Sequence, residues 1–316
     1  MIRKPVWARC DDKNAMPRKH QYSGTPDDWF SDSLLPNNFS GISFDFFVNW
    51  STYQLSDEIW IKRIVDNKYY WPQLNRSTLE HDLYKCDTKA YVGTLGAFAD
   101  RSKVKLNYQF FKESDDWNSQ PQSFISASID KQGKISSVTH KSLTTIKNEI
   151  QTLSGGPVSV GSKGLTYSST TLECYLANGD KASKAAWPGD VDLLILDKNL
   201  TPVAILEYKK NTIPPRYSNN IPITDEQLSN YYPKPDQRKY DRLAILRDFL
   251  NHQFQRDIPI FNLYFPTWKG STYMKIEHII GDVKNLRSNP ENVSLRPLPT
   301  NKKEMQKITY SLITMI

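Results

Sequence analysis

Trp187-Pro188-Gly189-Asp190-Val191-Asp192-Leu193-Leu194-Ile195-Leu196, the turn Asp197 to Pro202, and then Val203-Ala204-Ile205-Leu206-Glu207-Tyr208-Lys209-Lys210 decide the fold. Val191 to Leu196 is an almost wholly apolar run of strand length, and Val203 to Lys209 is a second. The polar turn between them, with Pro202 where its missing N–H does least harm, predicts a buried hairpin. Residues two apart on a strand share a face, so Glu207 and Lys209 point the same way. An antiparallel hairpin sets the start of its first strand beside the end of its second, which places Asp192 opposite that face. Three ionisable groups thus gather at one end of an apolar sheet, where charge is costly unless it is paired or binds a cation.

Outward from the hairpin the pattern alternates helix and strand. Leu143, Ile146, Ile150 and Leu153 recur at helical spacing, with Ser142 as cap and Gly155-Gly156-Pro157 as stop. Leu172 to Ala177 fits a short helix capped by Ser168 to Thr171, or a strand, since Leu172, Cys174 and Leu176 also alternate. A proline-rich stretch runs to Pro235. From Asp236 a helix is predicted with Tyr240, Leu243, Leu246, Leu250 and Phe254 on one face, followed by a buried strand over Ile258 to Phe265. Tyr273 to Ile280 reads as a further strand, and the segment from Asn301 as a covering helix. The first 140 residues are aromatic-rich and broken by turn clusters, with one clear strand from Ile42 to Trp50 and no catalytic motif. No internal repeat is evident. The expected architecture is α/β: a central mixed β-sheet flanked by helices over 141–316, preceded by an α+β accessory domain over 1–140 that recognises DNA, a partner or a second subunit.

Composition narrows the function. Of 316 residues, 38% are hydrophobic and 24% charged, which fits a folded soluble chain, and no apolar run nears the roughly 20 residues that span a bilayer. No secretory signal is read at the amino terminus, and the well-separated Cys10, Cys86 and Cys174 predict no disulfide framework, which together suggest a cytoplasmic protein. The net charge of +7 suits a phosphate-rich partner. Five scattered histidines make no zinc pattern. Neither a G-x-S-x-G elbow nor a phosphate-binding G-x-x-x-x-G-K-[ST] loop occurs.

Two carboxylates and a lysine at one strand end suit Mg2+, or Mn2+ in its place, because both prefer hard oxygen ligands and keep room for water and phosphate oxygens. The stretch GDVDLLIL followed by AILEYKK resembles the PD-(D/E)xK, or restriction-endonuclease-like, nuclease superfamily over about a quarter of the chain. The resemblance implies Asp192 and Glu207 as metal ligands, Lys209 as catalytic lysine and the Tyr208 backbone carbonyl as an additional ligand. Asp190 is the alternative first ligand, because Pro188-Gly189-Asp190 stands where the family has Pro-Asp. Glu173, with Glu149 behind it, is the candidate for the helical acid many members carry, and Gln237 or Lys239 for a polar residue of the following helix. Lys210, Arg216, Lys234, Gln237, Arg238, Lys239 and Arg242 could track a phosphate backbone. The function implied is Mg2+-dependent DNA endonuclease in restriction or antiviral defence, acting as a homodimer or with a protein partner. A transposon or repair nuclease, cleavage of RNA, or a non-catalytic nucleic-acid-binding module would use the same core.

Overall fold

The computed structural model describes residues 1–5, 35–66, 76–114, 116–117, 123–158, 170–178, 184–211, 221–266 and 271–314. These form an α/β protein of mixed sheet and flanking helices that divides into two compact units. Among the described residues the first unit holds 1–5 and 44–190, and the second holds 35–43 and 191–314. The predicted helix over Leu143 to Leu153 and the segment from Leu172 bury Ile146, Ile150, Leu172 and Leu176 in the core of the first unit.

The first unit begins with β1 (Ile2–Arg3), which pairs with β3 (Gln54–Val65). Its sheet runs from β2 (Phe39–Asn49, of which the part from Phe44 belongs here) through β3 to β4 (Lys105–Phe111), β5 (Ser123–Ile129) and β6 (Ile135–Ser142). All neighbours are antiparallel except β3 and β4. Helices α1 (Arg76–Asp87) and α2 (Lys89–Ser102) make the crossover that this parallel pair requires. They lie on the face that carries Phe44 and Arg63, as the Phe44–Phe98 ring contact at 5.6 Å and the Arg63–Asp87 pair show. The opposite face carries Phe47, Trp60, Ile64, Phe111 and Phe124 and is covered by α3 (Leu143–Leu153) and α4 (Thr171–Asn178).

The strand or helix choice left open at Leu172 resolves as α4. The Thr170 hydroxyl accepts the Glu173 N–H at 3.1 Å, an N-cap, and Leu172 and Leu176 sit one turn apart on the buried side. Cys174 is disulfide-bonded, its partner lying outside the described residues, and Cys86 is a free thiol. This corrects the expectation of no disulfide: wide spacing in sequence says nothing of distance in the fold.

In the second unit β7 (Gly189–Asp197) and β8 (Pro202–Asn211) form the predicted hairpin, with Leu193 opposite Leu206 and Ile195 opposite Ala204. β8 then runs parallel to β9 (Ile260–Pro266), and β10 (Tyr273–Asp282) and β11 (Asn285–Pro297) follow antiparallel. Helix α5 (Gln237–Phe254) is the crossover, and α6 (Lys302–Ile313) packs Met305, Ile308 and Leu312 on the other face against Leu193, Leu206 and Tyr208. β8 is buried along nearly all its length because a helix covers each side, which is why Pro202 to Leu206 is continuously apolar. Among the described residues no helix is long and apolar enough to cross a membrane.

Candidate functional site

Glu207 and Lys209 share the α5 face of β8, two residues apart, while Leu206 and Tyr208 turn to α6. Glu207 is fully buried. Its Oε1 is paired with Lys209 at 3.4 Å and with Lys239 from the first turn of α5, while its Oε2 receives no hydrogen bond. Lys209 is held by more than charge. Its ammonium lies 3.1 Å from Asp236, the residue that precedes α5, and 4.7 and 4.9 Å from the ring centres of Tyr231 and Tyr240. The faces of both rings attract the cation and shield it from water. Asp192 lies on the neighbouring strand one step beyond the Leu193–Leu206 pair, and its Oδ2 accepts the Tyr208 backbone N–H at 2.7 Å. Its own backbone carbonyl accepts the Ser43 hydroxyl at 2.6 Å.

Behind this end of the sheet lies a buried polar chain. The Tyr240 hydroxyl donates to Asn262 Oδ1 at 3.2 Å, Asn262 Nδ2 donates to the Tyr264 hydroxyl at 2.8 Å, and Tyr264 donates to Glu277 Oε2 at 2.5 Å. Glu277 Oε1 accepts the Leu228 N–H. Burial pushes the phenols of Tyr240 and Tyr264 far above the usual tyrosine range, with nearby Glu207 and Glu277 respectively adding to the rise, so both stay protonated donors. The chain fixes Tyr240 against Lys209, and thereby the lysine against Glu207.

Glu173 and Asp190 belong to another cluster, in the first unit. Glu173 pairs with Lys62 at 2.5 Å, and Lys62 lies 3.7 Å from buried Asp45, which accepts the Trp187 indole N–H at 2.9 Å. Burial pushes the Asp45 carboxyl up to about 6; Lys62 pulls it down, while Asp190 and Glu173 push it further up. Glu149 is engaged by Lys141 at 2.8 Å. Among the described residues no group of three or more histidines, cysteines or carboxylates is gathered closely enough to hold a metal ion. Lys234, Gln237 and Arg238 are exposed around the start of α5, Lys210 and Arg242 are half-buried, and Arg216 lies outside the described residues. Sequence reasoning missed Asp236 and Tyr231 as partners of Lys209. A weak signal was there for Asp236, an acid at the first position of a predicted helix.

No family model matches the chain, and no curated protein matches it. A solved structure, the crystal structure of Sex pheromone staph-cAM373 precursor, matches at 11% identity over 88% of this chain and 83% of that one, with a TM-score of 0.18.

Proposed function

We propose that the chain is a metal-dependent nuclease of the PD-(D/E)xK type, hydrolysing DNA phosphodiester bonds at Asp192, Glu207 and Lys209. The observation that carries the reading is Glu207: a fully buried carboxylate whose Oε1 faces two lysines and whose Oε2 receives no hydrogen bond, with one of those lysines fixed on its own strand face. A buried carboxylate oxygen left without a donor is costly, and a chain that retains one points to a ligand or to chemistry.

The donor set fits the divalent ion that the family resemblance implies. Asp192 and Glu207 are hard carboxylates, the Tyr208 backbone carbonyl follows Glu207 in sequence, and Glu207 Oε2 has unused lone pairs. Bound there, Mg2+ or Mn2+ would lower the pKa of a bound water and offset charge on the phosphate. In the hydrolysis a water oxygen bonds to phosphorus, the bond from phosphorus to one bridging sugar oxygen breaks, and the water's proton ends on the leaving oxygen or in solvent. Lys209 orients the water and offsets the charge that grows on the phosphate oxygens, with Asp236 and the two tyrosine rings setting its position. Lys234, Gln237 and Arg238 would hold the backbone of the substrate. Restriction or antiviral defence, with a transposon or repair role as alternative, is the setting that the family resemblance implies.

A second reading, a nucleic-acid-binding module without turnover, is favoured by one observation: Lys239 already pairs with Glu207, and among the described residues no three carboxylates gather closely enough to hold a metal ion. Cleavage of plasmid and linear DNA with Mg2+, Mn2+ or EDTA separates the two. Cutting that needs metal and is lost in Lys209→Ala supports the nuclease; DNA binding that persists with no cutting under any metal supports the module. Matched RNA in the same assay decides the nucleic acid.

A further inference from the structure

The two units repeat one plan. Each starts with an antiparallel hairpin, crosses by helix to a parallel strand, adds two antiparallel strands, and closes with a helix on the face opposite the crossover. Within each unit the strands stand in the same order, β2-β3-β4-β5-β6 and β7-β8-β9-β10-β11. Strand–helix–strand crossovers between parallel strands are right-handed almost without exception, so the α2 face of the first sheet corresponds to the α5 face of the second.

That correspondence can be followed residue by residue. Arg63 stands two residues before the end of β3, and Lys209 stands two residues before the end of β8. Each pairs with an acid just ahead of its crossover helix. Arg63 donates to both oxygens of Asp87, at 2.9 and 2.8 Å, two residues before α2 begins, and Lys209 meets Asp236, immediately before α5. Each cation also faces a tyrosine ring, Arg63 that of Tyr108 at 5.7 Å. Two residues before the cation, where the second unit has Glu207, the first has Ile61, 4% exposed. Opposite Ile61 on β2, one step beyond the Asp45–Trp60 pair, where the second unit has Asp192, the first has Phe44, 3% exposed. The cation and its acid persist as a buried pair, and both ligand positions are apolar.

We infer that the described residues form two copies of one fold, the first of which has apolar residues at both ligand positions of the second, so that each chain cuts at the second copy alone and its product on duplex DNA is a nick. The inference rests on the nuclease reading for the chemistry of the second copy. A Phe and an Ile offer no lone pair to a cation or a water, and a guanidinium locked on Asp87 neither accepts nor gives up a proton.

The test uses the full chain on supercoiled plasmid, together with Mn2+ titration in the absence of DNA. Open circles are expected first, with linear DNA forming as the square of protein concentration when two chains act together. One Mn2+ per chain is expected, and Glu207→Gln should lose both the bound ion and at least about 100-fold of the nicking rate. Nicking that survives in Glu207→Gln, a second Mn2+ site, or linear DNA as a first-order product would overturn the inference. If one Mn2+ binds and the unsubstituted protein cuts nothing, the nuclease reading fails and the nick with it, while the count of one site per chain stands.

Discussion

Glu207 and its two lysines pose a competition. Without a divalent ion, Lys209 and Lys239 supply the countercharge of the buried carboxylate; with one, the lysines and the ion contend for the same oxygens. Lys239→Met should therefore act in two directions. Removing one partner of a buried charge is destabilising, by about 1–3 kcal/mol here because Lys209 remains. The vacated side of Glu207 then binds the ion more tightly, and binding to the folded state alone raises stability. Thermal melts with and without Mn2+ should show a larger metal-induced rise in Tm for the variant than for the unsubstituted protein. An equal rise would mean that the ion does not contact Glu207. Asp236→Asn makes a separate prediction. Lys209 keeps its charge but loses an anchor, so cleavage should slow by roughly 10- to 100-fold with substrate affinity little changed. A gel-shift assay in Ca2+ alongside the rate assay checks this; a parallel loss of binding would point to Asp236 as a substrate contact. These residues were unequally legible. Asp192, Glu207 and Lys209 follow from strand alternation and one hairpin, all local in sequence. Asp236 reaches Lys209 only because the crossover returns there, 27 residues later, and no local pattern records that.

At the scale of elements the sequence told most where a segment buries one continuous stripe. The helices over Leu143–Leu153 and Gln237–Phe254 and the strands β7, β8 and β9 lie where spacing placed them. The first 140 residues read as irregular because their regular elements are interleaved with aromatic residues that serve both faces of one sheet. Phe44 and Phe46 face α2 while Phe47 packs on Trp60, which breaks simple alternation. Close helix packing leaves a mark that can be tested. Gly96 on α2 lies against the Asp130 carbonyl in the turn between β5 and β6, and a Cβ there would collide with that backbone oxygen. Gly96→Ala should then cost stability, about 1–3 kcal/mol, against the gain of about 1 kcal/mol that the change gives on an open helix. Urea unfolding decides the sign, and a stabilised variant would mean that α2 does not sit on that turn.

At the scale of the molecule, the repeat was invisible in the sequence because the paired positions hold residues of opposite character: Phe44 for Asp192, Ile61 for Glu207. Only strand order and register align them. The same division into units separates two buried charge clusters whose consequences can be told apart, since the Asp45, Lys62 and Glu173 cluster lies wholly in the first unit. Asp45 has a folded pKa of about 6 against an ordinary 3.8, with burial the main cause and Asp190 and Glu173 adding to it against Lys62. A raised carboxyl pKa means that the folded state binds the proton more tightly than the unfolded one. Below pH 4 both states hold it and Asp45 contributes no difference. As pH rises from about 4 to about 6 the unfolded chain releases it first, and stability falls by roughly 2–3 kcal/mol before levelling off. Lys62 keeps its proton throughout this window, since its carboxylate neighbours outweigh burial and hold its pKa above the usual lysine value. Asp45→Asn retains an oxygen for the Trp187 indole and has no proton to release. Chemical denaturation at several pH values between 4 and 7 should show the decline in the unsubstituted protein and a flatter curve in the variant, with the variant the more stable above pH 6. A decline of the same size in both would place its origin elsewhere than Asp45.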